Sequence, residues 1–396
     1  MRPFGDLAPF SEVRRTLAQL GVPVTESERV PLLRSVGRTL ATPVCSPIDV
    51  PNADRAAMDG HAARAEDTAP NEHLRIVGRV AAGQGAPPAL RQGECVEVAT
   101  GAPLPPGADC VIPVEHSDLG DGAITIQTRF LAGHHVSRRA DDLRAGEPLG
   151  EPGTALQPSL AAACAAAGIE EVEVWRRPRV LIVSSGDEVV PLGSGPLAPG
   201  QVYDSNATAL AALFRSGGAI VERTPIIRDE RPLLRSALAE TDTDLVVTVG
   251  GTSVGRRDLV SDVVEELGDI CLHGVAVRPG KPLLLAQIGE RPLIGLPGFP
   301  TSCLMMAYVT AKPLIERLGH IAPTERQCEA TLGVAVDSPR DKTHFLPVRI
   351  NADGGAVPTF TFSSAVSSMA HAHGWIEIPA EVEIVPAGES VSVTLY

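Results

Sequence analysis

Between residues 178 and 325 short apolar runs alternate with stretches of helical periodicity, and no other feature limits the possible folds so sharply. "RVLIVS" is apolar at consecutive positions, the pattern of a strand buried on both faces. "AIVERT", "DLVVTV", "PLLLAQI" and "PLIGL" read as further strands. Helices fall between and after them. "NATALAALFRSGG" takes Asn206 as its cap, and "RPLLRSALAE" carries Pro232 in its first turn. "DLVSDVVEELG" ends at Gly268, and the long "TSCLMMAYVTAKPLIERLG" is expected to kink at Pro313. Strands alternating with helices predict an α/β domain on a mostly parallel sheet.

The flanks have a different texture. From 45 to 140 Gly and Pro are frequent and runs such as "ECVEVATG" and "ADCVIPVEH" are short, which predicts a β-rich domain. Residues 1–44 and 141–177 are assigned to a small helical linker domain. Its first helix, "SEVRRTLAQLG", is capped by Ser11 and ended by Gly21; its second, "QPSLAAACAAAG", closes at Gly168 and packs with the first. Residues 326–396 return to short β runs and turns, as in a small C-terminal β-barrel domain. The predicted fold class is multidomain, α/β plus β, and a chain of 396 residues is long enough for it.

Composition removes several functions. The net charge is −14 without a Lys/Arg block, so a phosphate-backbone footprint is missing and nucleic acid is not an expected partner. Aromatic residues make up 3%, too few for a base-stacking platform. No apolar run reaches the ~18 residues of a membrane span. The seven cysteines (45, 95, 110, 164, 271, 303 and 328) form no CxxC pair. Their odd, scattered number and an N-terminus without a signal-like apolar region point to the cytoplasm.

Ligands of open α/β sheets sit at the carboxyl ends of the strands. Four loops lie there: "SSGDE" (184–188), "GGTSVGRRD" (250–258), "RPGKP" (278–282) and "PGFPTS" (297–302). In the second, Gly250 and Gly251 leave backbone bare for close approach, and Thr252 and Ser253 add hydroxyls. N–H groups at a helix start attract anions, so a phosphate ester fits; a tight βα turn explains the same glycines, and the loop alone leaves both open. It matches neither a P-loop nor GxGxxG. Ser184 and Ser185 lack GxSxG surroundings, so a nucleophile elbow is not indicated. "HAHG" (371–374) offers two imidazoles without further ligands and is not read as a metal site.

Asp187, Glu188, Asp229 and Asp258 also fall near strand ends, although Asp229 fits equally as a helix cap. Carboxylates repel a phosphate: two unit charges 4 Å apart interact by roughly 4 kcal/mol at an effective dielectric of 20. A divalent cation such as Mg²⁺ resolves the conflict by bridging acid and phosphate oxygens. Lys281 and Arg278 are placed to meet remaining anionic oxygens. In the β-rich stretch, "AAMDGHA" sets Asp59 in a turn and "ATGAPLPPGAD" starts a rigid loop at Thr100; composition alone reads both as turns.

Taken in order, "AAMDGHA", "TGAPLPPGADCV", "ADDLRAGE", "SSGDEVV", "GGTSVGRRD", "RPGKP" and "LPGFPTS" resemble the molybdopterin molybdenumtransferase family, the MoeA type that also forms the gephyrin E domain. The resemblance spans nearly the whole chain. It implies a four-domain homodimer that inserts molybdenum from molybdate into adenylylated molybdopterin with Mg²⁺, releasing AMP and the molybdenum cofactor. The upstream adenylyltransferase becomes a possible partner. The cleft of that family joins the molybdopterin-binding α/β domain of one subunit to the β-rich domain of the other. By resemblance the catalytic set is Asp59, Thr100, Glu188, Asp229 and Asp258, with Glu188 and Asp258 on the metal. Ser185, Asp187, Gly250, Gly251, Thr252, Ser253, Gly255, Arg278 and Lys281 bind substrate, and Ser302 and Ser364 match hydroxyls of the oxyanion region.

Several positions depart from the family's pattern, and they bear on molybdate geometry and oxyanion choice more than on the pterin-nucleotide site. Ala56, His61 and Ala140 stand where Ser, Tyr and Gly are common, Phe299 where Asn is usual, and Pro347 where an Arg is common. Losing that Arg removes a bidentate donor; Arg278, in a position often Lys, and Arg349, two residues on, are the candidates to compensate. Three other readings remain: a tungstate-handling paralogue, the upstream adenylyltransferase, and a non-catalytic pterin-binding scaffold.

Overall fold

A computed structural model of the chain describes residues 6–85, 89–251, 259–323 and 326–396. The chain divides into two compact units. One holds the residues up to Glu28, Gly37–Thr39 and Trp175–Tyr396; the other holds Arg29–Val36 and Leu40–Val174.

The first unit is built on a six-stranded sheet. In chain order its elements are α1 (Phe10–Gln19), β1 (Arg179–Ser184), α2 (Ser205–Ser216), β2 (Ile220–Arg223), α3 (Arg231–Ala239), β3 (Leu245–Val249), α4 (Leu259–Leu267), β4 (Asp269–His273), β5 (Leu284–Ile288), β6 (Arg291–Leu296), α5 (Pro300–Met306) and α6 (Lys312–Leu318). The strand order is β2-β1-β3-β6-β5-β4. The first four strands are parallel, and β5 runs antiparallel to both β6 and β4. The period of two explains the unbroken apolar runs. Val180 and Ile182 of β1 enter one core with α1, α2, α5 and α6. Leu181 and Val183 enter the opposite core with α3 and α4.

The helix ends depart from expectation in two places. α1 begins after Pro9, which leaves Ser11 inside the helix rather than at its cap. α2 is capped by Asp204, whose Oδ1 accepts the Ala207 N–H at 3.0 Å; Asn206 lies in the first turn instead. The sequence reading places α1 in the helical linker domain, but its Phe10, Val13 and Leu17 are buried in the core of the α/β sheet. Between α5 and α6 the helix widens to a π-type turn, Ala307–Ala311, just before Pro313. A wider turn is a recognised way for a helix to pass a residue that lacks an N–H.

The C-terminal strands are β7 (Arg326–Leu332), β8 (Thr343–Ile350), β9 (Gly355–Pro358), β10 (Gly374–Ile378) and β11 (Ser390–Leu395). Pairing runs β8-β9-β7-β11-β10 and returns to β8, so the five close into a barrel, as expected. A two-residue strand, Val277–Arg278, joins β8 in parallel, with Val277 opposite Thr343 and Arg278 opposite His344.

The second unit holds a mixed sheet of six strands, ordered Cys110–Pro113, Gly60–Ala63, Glu94–Val98, His73–Val80, Ala123–Ile126 and Ser117–Leu119. Separate cores cover its faces. The Ala-rich helix Pro158–Ala166 packs Cys164 with Leu40, Leu156 and Val174 in a third core.

Candidate active site

The ends of β1, β3 and β6 open on a cleft of about 1010 Å³. Backbone bonds hold these ends level: Ser185 N–H donates to Val249 O at 3.2 Å, and Gly186 N–H to Ile227 O at 3.2 Å. Ser185, Gly250 and Gly251 line the cleft. Both glycines have positive φ, +89° and +66°. A Cβ at Gly250 would stand 2.8 Å from the Ser185 carbonyl oxygen, and one at Gly251 2.6 Å from Val260 Cγ2. The turn's own packing therefore requires both glycines. Thr252, Ser253, Gly255 and Asp258 lie outside the described residues.

The same cleft carries cations and hydroxyls. Arg278 and Lys281 line it from the 278–282 loop. The Arg278 guanidinium lies 5.5 Å from the Phe360 ring centre, within cation–π range. His344, beside Arg278 in the ladder, is 2% exposed, and neither ring nitrogen has a hydrogen-bond partner among the described residues. Burial, assisted by the Arg278 charge, pushes its pKa down to about 4. Ser302 reaches the cleft from the first turn of α5. Next to it Thr301 is tied to the barrel: its N–H donates to Ser363 O at 3.1 Å and its hydroxyl to Ala365 O at 2.7 Å. That tie brings Ser363 and Ser364 to the same cleft.

Of the carboxylates named from the sequence, Glu188 is the one that lines the cleft among the described residues. It makes no ion pair among those residues. Asp187 and Asp229 are neighbours, with the Asp229 N–H donating to Asp187 Oδ1 at 3.4 Å, but neither lines the cleft. Asp59 and Thr100 belong to the second unit. There they form a local pair: the Thr100 N–H and hydroxyl donate to Asp59 Oδ1 at 2.6 and 2.9 Å. These two bonds, the backbone one foremost, lower the Asp59 pKa. His61, nearby in sequence, is 6% exposed and its Nδ1 has no partner among the described residues.

Among the described residues no group of three or more His, Cys, Asp or Glu is gathered for a metal. Mg²⁺ does not need one, because it commonly binds one or two carboxylates together with substrate phosphates and water. The Glu188 carboxylate, which makes no ion pair among the described residues, fits that donor set.

Sequence reasoning missed Asn206, Tyr203, Ser363 and Lys342, which also line the cleft. Asn206 Nδ2 donates to Gly298 O at 2.7 Å and so fixes the loop before α5. Phe299 is 62% exposed in the cleft lining. Of the two residues expected to replace the missing arginine, Arg278 faces the cleft and Arg349 does not. Pro347 itself is buried in the barrel opposite Trp375.

A ligand-binding cleft at the strand ends of an α/β sheet, lined by hydroxyls, cations and, among the described residues, one carboxylate without an ion pair, is the class of site that the fold defines. Three family models match: the MoeA N-terminal region (domains I and II) at residues 8–168, a probable molybdopterin binding domain at 181–317, and the MoeA C-terminal region (domain IV) at 329–396. Molybdopterin molybdenumtransferase 2 of Mycobacterium tuberculosis is 33% identical, covering 92% of this chain and 94% of its own length. Molybdopterin molybdenumtransferase of Nostoc sp. is 36% identical, covering 81% of this chain and 77% of its own. A crystal structure of the molybdopterin biosynthesis MoeA protein from Pyrococcus horikoshii superposes with a TM-score of 0.86 at 36% identity, covering 98% and 99% of the two chains. The chain belongs to the MoeA family of molybdopterin molybdenumtransferases.

Proposed function

We propose that this chain is a transferase of molybdenum cofactor biosynthesis that inserts molybdenum from molybdate into adenylylated molybdopterin, releasing AMP and the finished cofactor. The observation that carries this reading is the convergence on one cleft of Gly250, Gly251, Glu188, Arg278, Lys281, Ser302 and Ser364, in a chain whose relatives bear that enzyme name. The 250–258 loop, including Thr252, Ser253 and Gly255, receives the substrate phosphates, with Ser185 beside it. Arg278, Lys281, Ser302 and Ser364 hold the molybdate oxygens by charge and hydrogen bonds. Glu188 and Asp258 would hold Mg²⁺, which supplies charge neutralisation at the phosphoanhydride. Asp187 and Asp229 orient the rim next to Glu188. The two dithiolene thiols bind the molybdenum, their protons leaving with one molybdate oxygen as water, and a water molecule adds across the phosphoanhydride, giving AMP and the pterin with its own phosphate.

Asp59 and Thr100 act from the partner subunit of a homodimer in this reading. Their pairing keeps the Asp59 carboxylate ionised and aimed. Handover from the upstream adenylyltransferase is part of the same proposal, as is a cytoplasmic location. All seven cysteines are free, which agrees with a reducing compartment. No helix among the described residues is long and apolar enough to cross a membrane.

The test is genetic and then biochemical. Cells lacking their own insertion step should regain molybdoenzyme activity with this chain, and the purified protein should release AMP from adenylylated molybdopterin when molybdate is present. Tight binding of the adenylylated pterin with neither outcome would make the chain a scaffold, and restoration by tungstate but not molybdate would reassign the oxyanion.

A further inference from the structure

We propose that Lys342 is a binding residue for the tetrahedral oxyanion, an inference that rests on the function proposed above. Among the described residues three cations line the cleft, Arg278, Lys281 and Lys342, and they differ in how far the fold already engages them. The Arg278 guanidinium is placed over Phe360. Lys281 already interacts with another residue of the chain. Lys342 is half-buried and makes no hydrogen bond or ion pair among the described residues.

Its position is fixed nonetheless. The next residue, Thr343, donates its N–H to Ala276 O at 3.0 Å and sits opposite Val277. Lys342 thus enters the cleft one residue before the short ladder that presents Arg278. Among the described residues, the acids of the lining form no ion pair with it. Asp204 is occupied by Arg223 at 3.0 Å and by the α2 cap, and Glu188 pairs with none of the three cations among the described residues.

A partly desolvated ammonium without a counter-charge is unfavourable unless an anion completes it. An ammonium is also a compact charge with three donors, suited to a single oxygen of a tetrahedral dianion. Ser363 and Ser364 bring further hydroxyl donors to the same cleft. Arg349, the alternative by sequence proximity, is exposed and lines no part of the cleft.

The experiment uses the purified full chain and its Lys342→Ala, Lys342→Arg and Arg349→Ala variants. Molybdate binding is measured by equilibrium dialysis, and AMP binding in parallel reports on the fold. Lys342→Ala should weaken molybdate binding about tenfold or more, while Lys342→Arg stays within about threefold and Arg349→Ala within about twofold. AMP affinity should stay unchanged in all three. In the AMP-release assay the loss should appear as a raised KM for molybdate. If wild type binds molybdate and Lys342→Ala binds it equally well, the role of Lys342 is refuted while the functional reading stands. If wild type binds no molybdate, both fall together.

Discussion

His344 shows what one side chain can impose. It is 2% exposed with both nitrogens unpartnered among the described residues, so its neutral form is the one the fold holds. Its pKa is pushed down to about 4, mainly by burial, while the unfolded chain titrates near the ordinary histidine value of about 6.5. Between these values the unfolded state binds the extra proton, so stability is full above the upper value and falls as pH drops toward the lower one. The loss approaches roughly 3 kcal/mol, the pKa difference converted at ~1.4 kcal/mol per unit. Thermal melts at pH 7 and pH 4.5 should therefore diverge less for His344→Leu than for wild type; equal divergence in both proteins would refute the claim. No sequence rule exposes this. "THFLPV" reads as a strand, but which residue is sealed depends on the short strand 277–278 arriving from another part of the chain. Lys342 was illegible for the same reason, since its place in the cleft comes from a ladder spanning more than sixty positions. Ser185, Glu188 and Ser302, which follow β1 and β6, were legible because strand ends of an α/β sheet are where ligands collect, whereas Arg278 lies on the short strand paired with β8.

The elements themselves were the readable level. Unbroken apolar runs became strands buried on both faces, and the expected helices lie between them. Their caps were not readable, because a cap is set by the angle at which the chain enters a helix. Asp204 was passed over for Asn206, although Asn206 serves the cleft by holding Gly298. The tie between α5 and the barrel makes a prediction at this scale. Thr301 is fully buried, and its hydroxyl donates to Ala365 O. Thr301→Val keeps the shape and deletes the bond, leaving a carbonyl short of a donor at a cost of about 1–3 kcal/mol. Hydrogen exchange at 363–366 should quicken, and KM for molybdate should rise more than kcat falls. Unchanged exchange there would mean that the tie does not position Ser363 and Ser364.

At the level of the whole molecule the proposed sharing of a site between subunits is open to a mixing experiment. One chain carries Asp59→Asn, the other Lys281→Ala, and each alone should be nearly inactive. If the site spans two subunits, a mixed dimer has one site with both changes and one with neither. Random pairing makes half the dimers mixed, with half their sites intact, so about a quarter of wild-type activity should return. A site confined to a single chain would restore none. The compact units also have an order in time. α1, which ends at Gln19, buries Phe10, Val13 and Leu17 against strands that begin at Arg179, so the ribosome must add about 160 more residues before that helix can find its seat. During synthesis its greasy face has to wait, a guest of chaperones or of transient contacts, until the sheet emerges.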